Sequence, residues 1–160
     1  MKKYNALLKQ IQSIVSGGVG TVQIAVIYAT KTKHSKKLAD AIGASLNVKA
    51  QNITENPALQ DVALLFIVGG IYGGAGMPEL LTYIRETDTP VLKHAALVTS
   101  CASGRQRQTA VRSILEEKGI KVIDEFISKG AILFVSANHP NSKDLQKATE
   151  FALKIVSTIA

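Results

Sequence analysis

The chain has 160 residues, the usual size of one domain that can bury a sizeable core. Hydrophobic residues make up 46% and charged residues 19%, which argues against a disordered, collagen-like or low-complexity protein. No apolar run approaches the roughly 20 residues of a membrane-spanning helix. The single cysteine, Cys101, excludes an intrachain disulfide and a Cys-rich zinc site. Because no convincing signal peptide is present, we expect a cytoplasmic protein.

The net charge of +7 is concentrated near the start of the chain. Residues 1–49 hold eight lysines against one acidic residue, Asp40, whereas the rest of the chain has 11 basic and 11 acidic residues. Charge this localised can steer an anionic ligand or partner, although a solvated lysine face without a partner explains it equally well. The basic segment lacks arginine and interleaved aromatic residues, so nucleic acid is not an expected partner.

The first predicted element is an amphipathic helix from about Lys3 to Val15. Its apolar face would comprise Leu7, Leu8, Ile11, Ile14 and Val15. The Gly-rich segment 16–20 then breaks the pattern. Such a helix could dock on its own domain, on a partner or on a membrane surface. We therefore treat residues 1–20 as an N-terminal helix and linker, and residues 21–160 as one domain.

From Thr21 onward, strand and helix patterns alternate. The predicted strands are Val22–Ala29, Val48–Ile53, Val62–Val68, Ala95–Ser100 and material from Val122 to Val135 that is broken near Lys129 and Gly130. Helices are predicted over Ser35–Leu46, from Pro78, over Gln106–Lys118, and after a cap at Asn141 or Ser142. The alternation predicts an α/β fold, in which a doubly wound, five-stranded parallel sheet carries helices on both faces.

Ligands of such sheets bind beyond the carboxyl ends of the strands. The loop after the first strand leads from Ala29 into a helix at Ser35, and four lysines (31, 33, 36 and 37) lie in or beside it. Hydroxyls, free backbone N–H groups and the positive end of a helix dipole together bind phosphate. Neither a dinucleotide fingerprint nor a Walker loop is present. Simple helix capping by Thr32 or Ser35 is the alternative interpretation.

Two further loops are predicted at the same edge of the sheet. Segment 69–76 contains five glycines and Tyr72, which permits close approach to a flat ligand but also fits a flexible connector with an anchoring tyrosine. Segment 100–104 is small and polar, and we interpret Cys101 within it as an inert thiol rather than a nucleophile.

In this order, the three loops resemble those of the flavodoxin-like family. Thr30, Thr32 and Ser35 match the hydroxyl spacing of that family's phosphate loop, Thr/Ser-x-Thr-x-x-Thr/Ser. The segment DVALLFIVGGIYGG at 61–74 is similar to its third strand and flavin-ring loop. The stretch from Gly130 to Leu145 is similar to short bacterial flavodoxin-domain proteins. The resemblance covers residues 21–160 and implies the sheet order 2-1-3-4-5.

The resemblance also implies non-covalent FMN and one- or two-electron transfer, in which the flavin supplies the chemistry. The phosphate would be bound by the first loop, the ring would lie beside the second, and the third would close the other edge of the ring. The implied FMN-binding residues are Thr30, Lys31, Thr32, Lys33, His34, Ser35, Gly70, Ile71, Tyr72, Gly73, Gly74, Ser100, Cys101, Ala102, Ser103 and Gly104. No catalytic side chain and no metal ligand is predicted.

Four features depart from the family's pattern. Lys33 and His34 stand where Gly-Asn is usual, the last loop has no aromatic residue, the chain has no tryptophan, and it is basic where electron-carrying flavodoxins are acidic. The resulting interpretation is an FMN-binding redox protein. It would be an electron carrier with an acidic partner protein, or a small FMN-dependent oxidoreductase with a small-molecule electron acceptor.

The alternative is a flavodoxin-like module without FMN that binds a partner through the N-terminal helix and the lysines. A phosphotransfer enzyme is disfavoured, because the sequence shows no acidic cluster to hold magnesium and no evident nucleophile.

Overall fold

The computed structural model of the chain describes residues 5, 6, 9, 23–129 and 139–159. The strands are β1 (Ile24–Tyr28), β2 (Ala50–Asn52), β3 (Leu64–Tyr72), β4 (Ala75–Gly76), β5 (His94–Cys101) and β6 (Lys121–Lys129). The helices are α1 (His34–Leu46), α2 (Pro78–Glu86), α3 (Thr109–Glu117) and α4 (Ser142–Ile159), with a 3-10 turn at Ile53–Glu55. Within these ranges, no helix combines the length and the apolar character needed to cross a membrane.

The strands form one sheet in the order β2-β1-β3-β5-β6, and β4 pairs antiparallel with the end of β3. Every other pairing along that order is parallel. When the two-residue β4 is left out, the parallel strands follow the order 2-1-3-4-5, so the predicted topology is confirmed. The central strands are continuously apolar because helices cover both of their faces.

Alternate residues of the central strands fill two separate cores, since successive side chains point to opposite faces of a sheet. Val26 and Phe66 pack with residues of α1 and α4 on one face. Ile27, Ile67 and Leu97 pack with residues of α2 and α3 on the other face. The predicted helices on both faces are therefore confirmed.

Two strands extend further than the sequence predicted. β3 continues from Gly69 to Tyr72, and β5 continues one residue beyond Ser100 to Cys101, although we predicted segment 69–76 and Cys101 as parts of loops. The two strands pair with each other as far as Ile71 and Cys101. These ladder hydrogen bonds outweigh the weak intrinsic strand preference of the glycines.

Several predicted elements lie outside the described residues. These are most of the N-terminal helix from Lys3 to Val15, the linker up to residue 20, and the apolar stretch 131–135. The boundary between residues 20 and 21 remains a prediction. The cap of the last helix is Asn141 rather than Ser142, because the Asn141 side chain accepts hydrogen bonds from the N–H groups of Lys143 and Asp144, each at 3.0 Å.

Candidate functional site

The loop between β1 and α1 carries two buried hydroxyl groups. Thr30 Oγ1 and Ser35 Oγ are inaccessible to solvent, and neither has a hydrogen-bond partner among the described residues. Ser35 is buried as a whole and Thr30 is half-buried. Burying a hydroxyl without a partner costs about 1–3 kcal/mol. The hydrogen bonding of this pair is therefore incomplete within the described residues, which makes the loop a candidate site.

Helix α1 begins next to these hydroxyls without a side-chain cap. Lys33 is the N-cap residue, at φ 65, and its side chain makes no capping hydrogen bond. The alternative interpretation, capping by Thr32 or Ser35, is therefore wrong. A positive φ favours glycine. Lys33 occupies the position of the glycine in the Gly-Asn pair of the family pattern. The uncapped first turn presents N–H groups and the positive end of the helix dipole to the loop.

Thr32 does not join Thr30 and Ser35. Its Oγ1 lies 2.9 Å from Nδ1 of His34, and this bond is exposed. Burial, reinforced by repulsion from Lys37, lowers the pKa of His34 below its ordinary value. The imidazole is therefore neutral near pH 7, and it contributes hydrogen bonding to the loop rather than charge.

The lysines supply the charge of this loop. Lys36 is paired with Asp40 at 2.6 Å. Lys31, Lys33 and Lys37 form no ion pair within the part of the chain that the structure describes. Three cations therefore accompany the helix start, which favours an anion at this point.

Tyr72 joins the first predicted loop to the second. Its Oη accepts the Lys31 N–H at 3.3 Å, and the Lys31 ammonium lies 5.4 Å from its ring centroid. The Tyr72 ring covers Gly70, where an added Cβ would come within 2.7 Å of ring atoms. Any side chain at position 70 would therefore clash with the Tyr72 ring. The structure brings the Thr30–Ser35 loop and the end of β3 together, as the sequence predicts.

The second loop is shorter than predicted. Only Gly73 and Gly74 separate β3 from β4, and both have positive φ, at 60° and 83°. Two such residues form the tight turn that suits a β-hairpin. Both glycines are exposed, whereas Ile71 is buried within β3. The exposed backbone of this segment is thus the hairpin tip rather than the whole Gly-rich stretch.

The third loop begins at Ala102. The side chains of Ser100 and Cys101 are buried in β5, and the Cys101 sulfur lies 3.8 Å from both Ser103 Oγ and the Gln106 carbonyl oxygen. Gly104 has φ 65, and a Cβ there would lie 3.0 Å from Cγ of Lys129. Of this predicted group, Ala102, Ser103 and Gly104 form the loop at the carboxyl edge of the sheet.

A buried carboxylate holds the segment that follows this loop. Glu125 Oε1 accepts hydrogen bonds from Thr99 Oγ1 at 2.7 Å and from the Gln108 N–H at 2.8 Å. Glu125 Oε2 lies 3.5 Å from Arg107 and 3.6 Å from Arg112. The Glu125 side chain is fully buried, so these partners compensate its desolvation.

Sequence reasoning missed Glu125 because its orientation depends on a bulge. Ala95 pairs with Val122 and Leu97 pairs with Glu125, so two steps along β5 face three steps along β6. The extra residue turns Glu125 to the face under α3; without it, Glu125 would point to the opposite face. An acidic residue inside an apolar strand pattern is the one signal that the sequence offered.

The strand order and the parallel pairing of its strands define the flavodoxin-like fold. No family model matches the chain. A protein of Methanocaldococcus jannaschii whose function is uncharacterized is 27% identical over 138 residues, which cover 78% of this chain and 91% of that protein.

Solved flavodoxins share this architecture. A short-chain flavodoxin associated with a non-canonical PDU bacterial microcompartment aligns with a TM-score of 0.64 at 18% identity, over 87% of this chain and 100% of its own. Oxidised flavodoxin 2 of Bacillus cereus aligns at 0.62 and 18%, over 86% and 99%. A flavodoxin from the domain Archaea aligns at 0.62 and 15%, over 86% and 99%. At these identities the likeness confirms the fold.

Proposed function

We propose that the chain is a flavodoxin-like flavoprotein that binds FMN non-covalently, with the FMN phosphate on the loop between β1 and α1. The observation that carries this proposal is the pair of buried hydroxyls of Thr30 and Ser35, which lack partners among the described residues. A phosphate accepts hydrogen bonds from hydroxyls and from uncapped helix N–H groups. The similarity to solved flavodoxins supports the same proposal.

The electrostatics of the loop fit a dianionic group. The start of α1 carries a partial positive charge, and Lys31, Lys33 and Lys37 add three full charges around it. Because the lowered pKa of His34 keeps its imidazole neutral, this ring is available as a hydrogen-bonding group. The lysines are exposed, so their contribution is to attract and hold the phosphate at low salt rather than to orient it.

The other end of the flavin would be placed by backbone rather than by side chains. The exposed turn at Gly73 and Gly74 and the loop from Ala102 to Gly104 lie at the same edge of the sheet as the phosphate loop. When bound, FMN would supply one- and two-electron redox chemistry. The protein would bind it, orient it and limit its contact with water. The basic charge favours an acidic redox partner protein, and a small-molecule electron acceptor is the other candidate.

The proposal is tested by comparing FMN with riboflavin, which has the same ring but no phosphate. Each flavin is added to the purified full-length protein, the excess is removed by gel filtration, and the flavin absorbance that remains is measured. We expect FMN to be retained and riboflavin to be lost. The phosphate, which riboflavin lacks, would accept the charge-assisted hydrogen bonds from the loop. A protein that retains neither flavin would contradict the proposal, and equal retention of both would place the binding energy on the ring.

A second candidate, a partner-binding module without flavin, is favoured by one observation. Tyr72 Oη already accepts the Lys31 N–H, and the Tyr72 ring lies on Gly70, beside which the flavin ring would sit. If this closed arrangement competes with FMN, then Tyr72→Phe, which removes the acceptor, should bind FMN several-fold more tightly. A Tyr72→Phe protein that still takes up no FMN would support the module instead.

A further inference from the structure

A cleft of about 290 Å³ lies at the edge of the sheet opposite the loop between β1 and α1. Its walls come from residues 56–60, which lead into β3, and from residues between 83 and 88, where α2 ends before β5. The cleft therefore lies at the amino ends of these two parallel strands. Because ligands of open parallel sheets bind at the carboxyl ends, the cleft is separate from the proposed FMN site.

Tyr83 fixes the apolar part of the cleft. Its Oη donates to the Pro57 carbonyl oxygen at 2.7 Å, which ties the last turn of α2 to the segment before β3. Burial raises the pKa of Tyr83, so the phenol remains a neutral donor near pH 7. Pro57 and Leu59, which also line the cleft, are buried. A fixed aromatic ring beside buried apolar side chains offers a surface for the apolar body of a small ligand.

The polar part of the cleft is negatively charged. Glu86 and Asp88 line it, both are exposed, and neither forms an ion pair within the part of the chain that the structure describes. The carbonyl groups of residues 84–86 accept no backbone hydrogen bond from the described residues, so the carboxyl end of α2 adds partial negative charge. No basic residue is among the described residues that line the cleft.

Neighbouring basic residues offset this charge only in part. The Lys118 ammonium donates to the Thr87 carbonyl oxygen at 2.7 Å, and Arg85 is next to the lining residues in the chain. Glu55 and Asp61 flank segment 56–60. With the two lining carboxylates, this makes four acidic residues against two basic ones, a net charge of −2 in a chain whose total is +7. The cleft therefore favours a cation.

The cation that fits is organic rather than a metal ion. Within the described ranges, no three His, Cys, Asp or Glu side chains are grouped so that they could hold a metal. An ammonium group has three donors and needs only carboxylate or carbonyl oxygens as partners, as the bond from Lys118 to Thr87 illustrates. An apolar body attached to that ammonium would contact the Tyr83 ring.

We propose that this cleft binds a small primary amine with an aromatic body, of the arylalkylamine class. The ammonium would lie against Glu86, Asp88 and the carboxyl end of α2, and the aromatic body against Tyr83 and Pro57. The proposal does not rest on flavin binding, because the cleft and the loop between β1 and α1 lie at opposite edges of the sheet.

The test uses 2-phenylethylamine as the probe and the amide chemical shifts of the ¹⁵N-labelled full chain as the readout. We expect saturable shifts at Gln60 and Thr87, and none at Gly73 and Gly74, which lie at the opposite edge. The uncharged analogue 2-phenylethanol should bind about tenfold more weakly, because charge-assisted hydrogen bonds are lost. FMN should not displace the amine.

Matched acidic variants separate a local carboxylate from general charge. Glu86→Gln removes a carboxylate from the last turn of α2 and should weaken binding of 2-phenylethylamine about three- to fivefold, as expected for an exposed ion pair. Glu79→Gln removes the same charge from the first turn of the same helix and should change binding by less than about 1.5-fold. Ala58→Phe keeps every charge, fills the cleft from an exposed position and should abolish binding. The amide spectrum of each variant shows whether it is folded.

Four results would overturn the proposal. They are no saturable shift with 2-phenylethylamine, equal weakening by Glu86→Gln and Glu79→Gln, equal binding of 2-phenylethanol, and displacement of the amine by FMN. Equal binding of the alcohol would show that only the apolar wall of the cleft contributes. Binding of the amine to a protein that takes up no FMN would support this proposal while contradicting the proposed function, so the two failures are distinguishable.

Discussion

Removing the two buried hydroxyls of the loop between β1 and α1, which we propose binds the phosphate, should raise protein stability and lower FMN affinity. Thr30→Val and Ser35→Ala each delete an oxygen that is buried without a partner in the described structure. Because such an oxygen costs about 1–3 kcal/mol, we expect each variant to raise the free energy of unfolding of the flavin-free protein by about 1 kcal/mol. Most substitutions of buried residues have the opposite effect.

The same changes should weaken FMN binding. A hydrogen bond to a charged group contributes about 1.5–3 kcal/mol, which corresponds to a roughly tenfold to 150-fold increase in the dissociation constant of FMN. The fixed position of Ser35 within the first turn of α1 makes the larger effect expected there, since its side chain is fully buried. Riboflavin binding should not change, because riboflavin carries no phosphate.

Urea unfolding of the flavin-free protein and calorimetric titration with FMN measure the two effects. The control is Ser45→Ala on the same helix, whose hydroxyl already donates to the Ile42 carbonyl oxygen at 2.7 Å. It should leave FMN affinity unchanged and should not stabilise the protein. If Thr30→Val and Ser35→Ala both destabilise the flavin-free protein, the hydroxyls have partners and the reasoning is wrong. If both leave FMN affinity unchanged, the phosphate binds elsewhere.

Three further predictions concern the surrounding structure. Glu125→Leu should lower the free energy of unfolding by about 2–4 kcal/mol, because buried donors lose their acceptor; urea unfolding measures this. Gly69→Ala should cost about 1–3 kcal/mol, since its Cβ would lie 2.7 Å from Gln108 Oε1, whereas Gly76→Ala has nothing within 4 Å and serves as its control. In the Asp144→Asn variant, the free energy of unfolding should fall less steeply than in the wild type as the pH is lowered. Burial raises the pKa of Asp144, but the Asn141 N–H and His139 lower it by more. The pKa is therefore below its ordinary value, and the wild type alone loses this contribution as the pH falls through that lowered pKa.

Each of these predictions has an outcome that contradicts it. Equal effects of Gly69→Ala and Gly76→Ala on the urea midpoint would show that the close approach of Gln108 is relieved without cost. A fully stable Glu125→Leu protein would show that apolar packing replaces the buried network. Parallel pH profiles of the wild type and Asp144→Asn, followed by urea unfolding at each pH, would mean that the pKa of Asp144 is not lowered by folding.

The sheet was predictable because its central strands are apolar without interruption. The runs containing Ile27 and Ile67 can be buried on both faces only if helices cover both, and the intervening helical patterns supply those helices. The position of the loop between β1 and α1 was predictable for a related reason, since a short hydroxyl-rich segment between a buried strand and a helix offers few alternatives. The positive φ of Lys33 was not predictable, because a lysine in the sequence does not indicate this backbone conformation.

The features that sequence reasoning missed depend on contacts between distant residues. Glycines such as Gly69 and Gly70 usually indicate a loop, but here they admit Gln108 and Tyr72 against a continuing strand. The bulge that turns Glu125 towards α3 is likewise set by pairing between β5 and β6. A local pattern contains neither the partner strand nor the side chain that fills the space above a glycine.

Several features that lower stability lie together in one short segment of the described structure. Between Thr30 and Ser35 lie two buried hydroxyls without described partners, a non-glycine residue at positive φ and an uncapped helix start. Positive φ at a residue such as Lys33 costs about 1–3 kcal/mol, and each unpartnered hydroxyl costs a similar amount. Such local costs are typical of functional sites, where the ligand rather than the fold satisfies the polar groups. The proposed phosphate would satisfy the hydroxyls and the helix start together, and the charge of Lys33 accounts for a lysine at a position where glycine would be less strained.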